Sequence, residues 1–436
     1  INKINYKNKN YVPKLIWQDA LGAIAGGSSL FSKRPDVYLP DKWPAYFVRA
    51  KGCIVEAVDN KKYLDLSNMG VGTNLLGYAN SQIDDAVKKR ISKGNMTTLN
   101  SLEEIKLAKK LLSMHDWADK VRFTRSGGEA NSVAIRLSRA STKKHKIAIC
   151  GYHGWHDWYL AANLKGKNSL DDHLLPGLKT KGVYSRLKGS IFTFKYNDFN
   201  GLKKIVRNNP DVGIIKMEVI RSVRPKNNFL KKIRNLFYKK NIILMFDECS
   251  SGFRQTFGGL HKMYGVNPDM AWFGKALGNG YGITAIIGKK EIMDHAQSSF
   301  ISSTFWTERS GPVAANKTLE IMEKIKSWKI ITKIGEDVQK KWKILAQRNN
   351  LNIQVSGIPA LSSFSIISED WLKYKTFITQ EMLKRNFLAT NAIFVSVKHD
   401  KKMLNRYFDI LDGLFKKISD FENNVKKIKP LNPTAA

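Results

Sequence analysis

Between residues 120 and 300 the chain alternates short, continuously apolar runs with helix-like stretches, and no other feature limits its fold as much. The runs are KIAIC (146–150), SIFTF (190–194), VGIIKME (212–218), IILMF (242–246) and TAIIG (284–288). Stretches over 129–142, 200–207 and 230–239 have helical spacing. A strand apolar at nearly every position must be covered on both faces, which predicts a mostly parallel sheet between layers of helix. After Pro312 a long helical pattern begins, followed over 351–425 by a mixed segment that reads as a smaller α+β domain. Before the alternating region, 46–66 reads as short strands with a turn at Asp59-Asn60. Ser101 and Glu104 have the spacing of a capping box ahead of a helix reaching Leu112. Residues 1–10 are polar and expected to fray. The expectation is an α/β chain with a large domain over 66–310 and a small domain over 311–436. Residues 1–65 are expected to pack with the small domain. The first residue is Ile1 rather than Met, which fits a processed chain or a piece of a longer one.

Composition matters at one point. The formal net charge is +36 over 436 residues, which would suit an acidic substrate, an anionic membrane surface or nucleic acid. The lysines are dispersed in pairs such as Lys143-Lys144 and Lys231-Lys232, with no arginine-rich block, so solvated surface is the simpler reading. No apolar run is long enough to cross a bilayer. The three cysteines (Cys53, Cys150, Cys249) are too few and scattered for a disulfide framework or a zinc cage. A cytoplasmic location is expected.

Four groups of residues carry chemistry. The run 242–246 leads directly into Asp247, and carboxyl ends of strands are where open α/β sheets bind ligands. Lys275 ends the apolar segment Ala271–Gly274 and precedes the flexible turn Ala276–Gly280. A water-poor setting there favours the neutral amine that Schiff-base chemistry needs. Ser126-Gly127-Gly128 opens a helix, where small residues and the helix dipole suit an anion. Tyr152-His153-Gly154-Trp155-His156-Asp157-Trp158 follows the strand ending at Cys150 and could stack on a flat ring. Each has an ordinary alternative: a capping carboxylate, one more surface cation, a common glycine pair, a hydrophobic loop anchor. His153, His156 and Asp157 lack the further ligands a metal would want, and none is expected.

In order and spacing these pieces resemble class III aminotransferases of the aspartate-aminotransferase fold (fold type I), and look closest to glutamate-1-semialdehyde aminomutase and its relatives. The match extends through Asp247-Glu248, Ser251–Arg254, Gly274–Gly280 and Ser303–Pro312, covering nearly the whole chain. The resemblance implies pyridoxal 5′-phosphate as cofactor, with pyridoxamine 5′-phosphate formed in turnover. It implies Lys275 as the residue forming the internal aldimine and Asp247 as partner of the pyridine nitrogen. Ser126, Gly127 and Gly128 would bind the phosphate, and Tyr152 would stack on the ring. Cys249, where valine is usual, would back the other face, with Glu218 nearby. Thr307, or alternatively Thr304, would reach the phosphate of a neighbouring subunit, so a homodimer with shared sites is implied.

Three departures bear on substrate. Gly128 stands where threonine is common, and Glu218 is followed by Val219-Ile220-Arg221 in place of a proline-led turn. No arginine-proline carboxylate motif is evident in the carboxyl-terminal domain. Arg125, Arg221, Arg224, Trp155 and Arg34 (or Lys33, one register away) are the candidate substrate contacts. The expected function is an aminotransferase or aminomutase acting on a small anionic amino or oxo compound. A decarboxylase using the same lysine and aspartate is the nearest alternative, with a nucleotide-sugar aminotransferase beside it. A basic polyanion- or nucleic-acid-binding protein on the same scaffold is the remote one.

Overall fold

The computed structural model describes residues 13–423 except 167, 172, 174–176, 221 and 239, so the expected frayed residues 1–10 lie outside the described residues. Two compact units are present. One comprises Ser81–Lys329; the other joins the described residues up to Asn80 with those from Ile330 onward.

The first unit is built on a seven-stranded sheet. Its strands are β1 (Lys120–Thr124), β2 (Lys146–Cys150), β3 (Ile191–Thr193), β4 (Val212–Glu218), β5 (Ile243–Asp247), β6 (Met270–Phe273) and β7 (Thr284–Gly288). Their order across the sheet is β1-β7-β6-β5-β4-β2-β3. Neighbours from β3 to β6 are parallel, and only β7 runs against its neighbours. The five apolar runs all carry strands, and every residue of three of these, β4, β5 and β7, is buried. Helix α1 (Gly127–Thr142) lies on this sheet. Ala130, Ala134 and Leu137 of α1 share a core with Ile147, Ile214, Met245, Trp272 and Ile286 of the strands. Each large side chain buried there contributes about 1.5–3 kcal/mol.

β2 and β4 are adjacent, with β3 beyond one and β5 beyond the other. Chain order therefore runs outward in opposite directions from this pair, which opens a crevice at the carboxyl ends. Cys150, Glu218 and Asp247 end the three strands around it.

Helices formed where the spacing placed them, but one cap did not. The helix Leu102–Leu112 begins after Ser101, yet the Ser101 hydroxyl caps nothing and is buried without a hydrogen-bond partner. The capping box forms instead at Ser126 and Glu129, at the start of α1.

The second unit carries the antiparallel strands Phe47–Lys51, Ile54–Ala57 and Lys62–Asp65, with Phe387–Leu388 added in parallel. Asn60, with φ of 63°, makes the expected turn between two of them. A second antiparallel sheet joins Ile353–Ser356, Leu361–Ile366 and Ala392–Phe394, alongside helices Trp371–Lys384 and Lys401–Glu422. Its core is aromatic: Trp342 and Phe415 both meet Phe364 edge-on, and the Trp342 indole donates to Tyr407 Oη at 3.0 Å. This is the α+β segment expected over 351–425.

Candidate active site

Strand register brings the central acid groups side by side. Glu218, Asp247 and Trp272 are cross-strand neighbours on β4, β5 and β6, so the Asp247 carboxylate stands in the middle of the crevice. Its Oδ1 accepts the Cys249 backbone N–H at 3.2 Å. Its Oδ2 faces His153 Nδ1 at 3.0 Å and Lys216 Nζ at 3.4 Å. Burial alone would raise the pKa of Asp247, but the Lys216 charge and the His153 hydrogen bond more than offset it. The carboxyl is held well below the ordinary range and stays ionised.

Lys275 follows β6 and occupies a left-handed conformation, φ 44°, which costs a non-glycine residue about 1–3 kcal/mol and marks functional sites. Its Nζ lies 2.7 Å from Ser250 Oγ, in the loop just after Asp247. The Cys249 side chain is wedged nearby. A Cβ added to Gly127 would lie 3.2 Å from its Sγ, and one added to Gly274 would lie 3.3 Å away. Burial first, and the Asp247 charge second, push the Cys249 thiol well above 9, so it remains protonated.

The turn at Ser126–Gly128 caps α1. Ser126 Oγ accepts the Glu129 N–H at 3.3 Å, and Glu129 Oε2 accepts the Arg125 and Ser126 N–H groups at 2.9 and 2.8 Å. Against it lies the loop after β2. A Cβ on Gly128 would come within 2.8 Å of His156 Nε2, so any side chain at 128 would require this ring to shift. The other ring nitrogen of His156 is 2.6 Å from Ser132 Oγ, which fixes the ring against α1. Gly151 has φ 109°, and its added Cβ would meet Glu218 Oε2 at 2.6 Å. That same oxygen accepts the Tyr152 N–H at 3.1 Å, so Glu218 tethers the loop bearing Tyr152.

The structure therefore gathers Ser126, Gly127, Gly128, Tyr152, Glu218, Asp247, Cys249 and Lys275 around one set of strand ends and loops. Thr304 and Thr307 lie on an exposed turn. Arg125 spends its guanidinium on that segment, donating to Phe305 O at 2.6 Å, to Gly282 O at 3.0 Å and to Glu308 O, and pairing with Glu308 Oε2 at 3.1 Å. Trp155 is exposed, its ring against His156. Arg34 belongs to the other unit and pairs with Asp36 at 2.6 Å. Arg221 lies outside the described residues.

Three residues were missed. Lys216 was legible as the one basic residue of a wholly buried strand, VGIIKME, a position that demands a partner. His153 and His156 were weighed only as aromatic anchors and metal ligands. No pattern in the sequence pairs His153 with Asp247 across 94 positions.

Comparison with known proteins gives the chain's family. The model of the class-III aminotransferase family matches residues 40–385. The chain is 33% identical over 398 residues to a 3-aminobutyryl-CoA aminotransferase from Cloacimonas acidaminovorans, covering 88% of each chain. It is 31% identical over 396 residues to a glutamate-1-semialdehyde 2,1-aminomutase from Methanosphaera stadtmanae, covering 88% of this chain and 90% of the relative. Among solved structures, the pyridoxal phosphate internal aldimine form of the Sphingopyxis sp. MTA144 FumI protein superimposes with a TM-score of 0.85 at 22% identity, over 96% of this chain and 98% of that one. The likeness shows the expected fold-type I architecture. With a family model spanning most of its length and two relatives above 30% identity, the chain belongs to the class III aminotransferases.

Proposed function

We propose that this chain is a pyridoxal-phosphate-dependent aminotransferase or aminomutase acting on a small anionic amino or oxo compound. The observation that carries the reading is the placement of an ionised, buried Asp247 at the end of β5 with Lys275 at the end of the adjacent β6. The residues fit the cofactor. Gly127 and Gly128 open α1 with no side chain of their own over its first backbone N–H groups, a setting suited to a phosphate. When bound, pyridoxal phosphate supplies an electron sink for breaking the bond to a substrate Cα hydrogen.

The chain's own residues do the rest. Asp247 holds a proton on the ring nitrogen, and its ionisation is kept by Lys216 and His153. Lys275 would hold the cofactor and would move a proton at its Nζ, with Ser250 Oγ 2.7 Å away to orient it. Tyr152 and Cys249 would hold the cofactor's ring between them. Ser126, Gly127 and Gly128 take the phosphate, with His156 Nε2 standing where the threonine common in the family would put its side chain. Thr307, or Thr304, serves the site of a second copy. Exposed apolar side chains suit that assembly: Leu99, Leu102, Phe300 and Phe305 are 81%, 79%, 93% and 66% exposed. No helix among the described residues is long and apolar enough to cross a membrane. The aminomutase and the acyl-CoA aminotransferase relatives both handle anionic compounds, which a chain of charge +36 would attract.

Absorption spectroscopy tests the reading. Purified protein supplied with pyridoxal phosphate should show a visible band that borohydride abolishes and that Lys275→Ala lacks. A protein that stays colourless would overturn it.

A further inference from the structure

Lys216 stands 3.4 Å from the Asp247 carboxylate, and its charge bears on more than keeping that group ionised. It lies inside β4, where every neighbour along the strand is buried. Its ammonium lies over two indoles, with Nζ 4.6 Å from the Trp272 ring centroid and 5.4 Å from that of Trp158. A lysine here gains nothing for packing that a methionine would not give more cheaply, because an ammonium must leave water.

The groups facing it are Asp247, which takes its charge, and His153, Glu218 and Cys249 at longer range. Burial lowers the Lys216 ammonium to about 8, with Asp247 opposing, so it is mostly protonated at neutral pH. Burial and Lys216 together lower His153 to about 4. Neutral His153 has one ring proton and two oxygen neighbours, Asp247 Oδ2 at 3.0 Å and Cys150 O at 3.2 Å. The ionised carboxylate is the stronger acceptor. Lys216 is then the one fixed cation that Asp247 has among its described partners.

Resting on the functional reading above, we infer that Lys216 is a positioning residue that shares the Asp247 carboxylate with the cofactor's ring nitrogen and so weakens the hold on the ring proton. An aspartate with one cationic partner gives its full charge to the pyridinium; an aspartate with two divides it. The cofactor in this chain is thereby set to a lower proton affinity than Asp247 alone would give.

The test is Lys216→Met, which keeps the volume beside the indoles and removes the charge. Protein loaded with pyridoxal phosphate labelled at the ring nitrogen should show the ¹⁵N resonance move upfield, toward the pyridinium position, in the variant. A loaded variant whose resonance does not move overturns the inference and leaves the functional reading intact. Wild-type protein that takes up no cofactor overturns both. Cofactor-free protein provides a second arm that also covers a variant too unstable to load. Asp247→Asn should lower the thermal midpoint, and adding Lys216→Met should restore part of the loss, since the orphaned ammonium is removed. Losses that simply add would overturn the inference.

Discussion

At the scale of single residues, positions 128 and 156 behave as one. The His156 ring fills the space a side chain at 128 would need, so Gly128→Thr should cost about 1–3 kcal/mol by overpacking. Adding His156→Ala should recover most of it. Urea midpoints of the two variants would show this, and equal losses in both would remove the steric argument. Gly151 is more constrained still. Its φ of 109° excludes other residues before any contact is counted, and Gly151→Ala also drives a methyl into Glu218. The sequence displayed Gly128 as a departure from the family pattern, but the reason lay 28 positions away in a loop contact. Lys216 was the reverse case: its oddity was local and visible, and only its partner required the fold.

At the scale of elements, Arg125 and Glu129 join the start of α1 to the 304–308 turn. Arg125 binds three carbonyls and the Glu308 carboxylate, while Glu129 Oε1 accepts the Trp306 indole N–H at 3.0 Å. Arg125→Met should release that turn. Affinity for pyridoxal phosphate should fall about tenfold, as expected for losing one or two charge-assisted hydrogen bonds, with a smaller effect on global unfolding. Fluorescence titration with the cofactor measures it, and unchanged affinity would free the turn from any part in the site. Strand and helix placement was legible because a period of two or 3.6 is a local property. The misplaced cap at Ser101 was not, because a hydroxyl caps only when tertiary packing leaves it facing the helix N–H groups, and here packing buried it.

At the scale of the whole molecule, three histidines are buried in polar niches with their pKa values lowered to about 4: His115, His153 and His399. Burial is the first cause in each. A base whose folded pKa is depressed binds its proton more readily when unfolded. Stability is therefore intact above the ordinary value near 6.5 and lost as pH falls from there toward 4. Chemical denaturation at pH 7 and pH 5 should show a lower midpoint at pH 5, with up to about three protons taken up on unfolding across the window. A midpoint flat through that window would contradict these burials. The shared-site assembly is tested by mixing two inactive variants, Lys275→Ala and Thr307→Asp, under conditions that exchange subunits. A mixed dimer holds one intact site, so activity should return to about a quarter of wild type. No return would place Thr307 outside the partner's site.

The closeness of Gly128 and His156 also bears on how the turn can be redesigned. A threonine at 128 and a histidine at 156 compete for one volume, so a side chain added at 128 requires the ring to move off Ser132. Enlarging one position is best done together with shrinking the other, and the pair is the unit to vary.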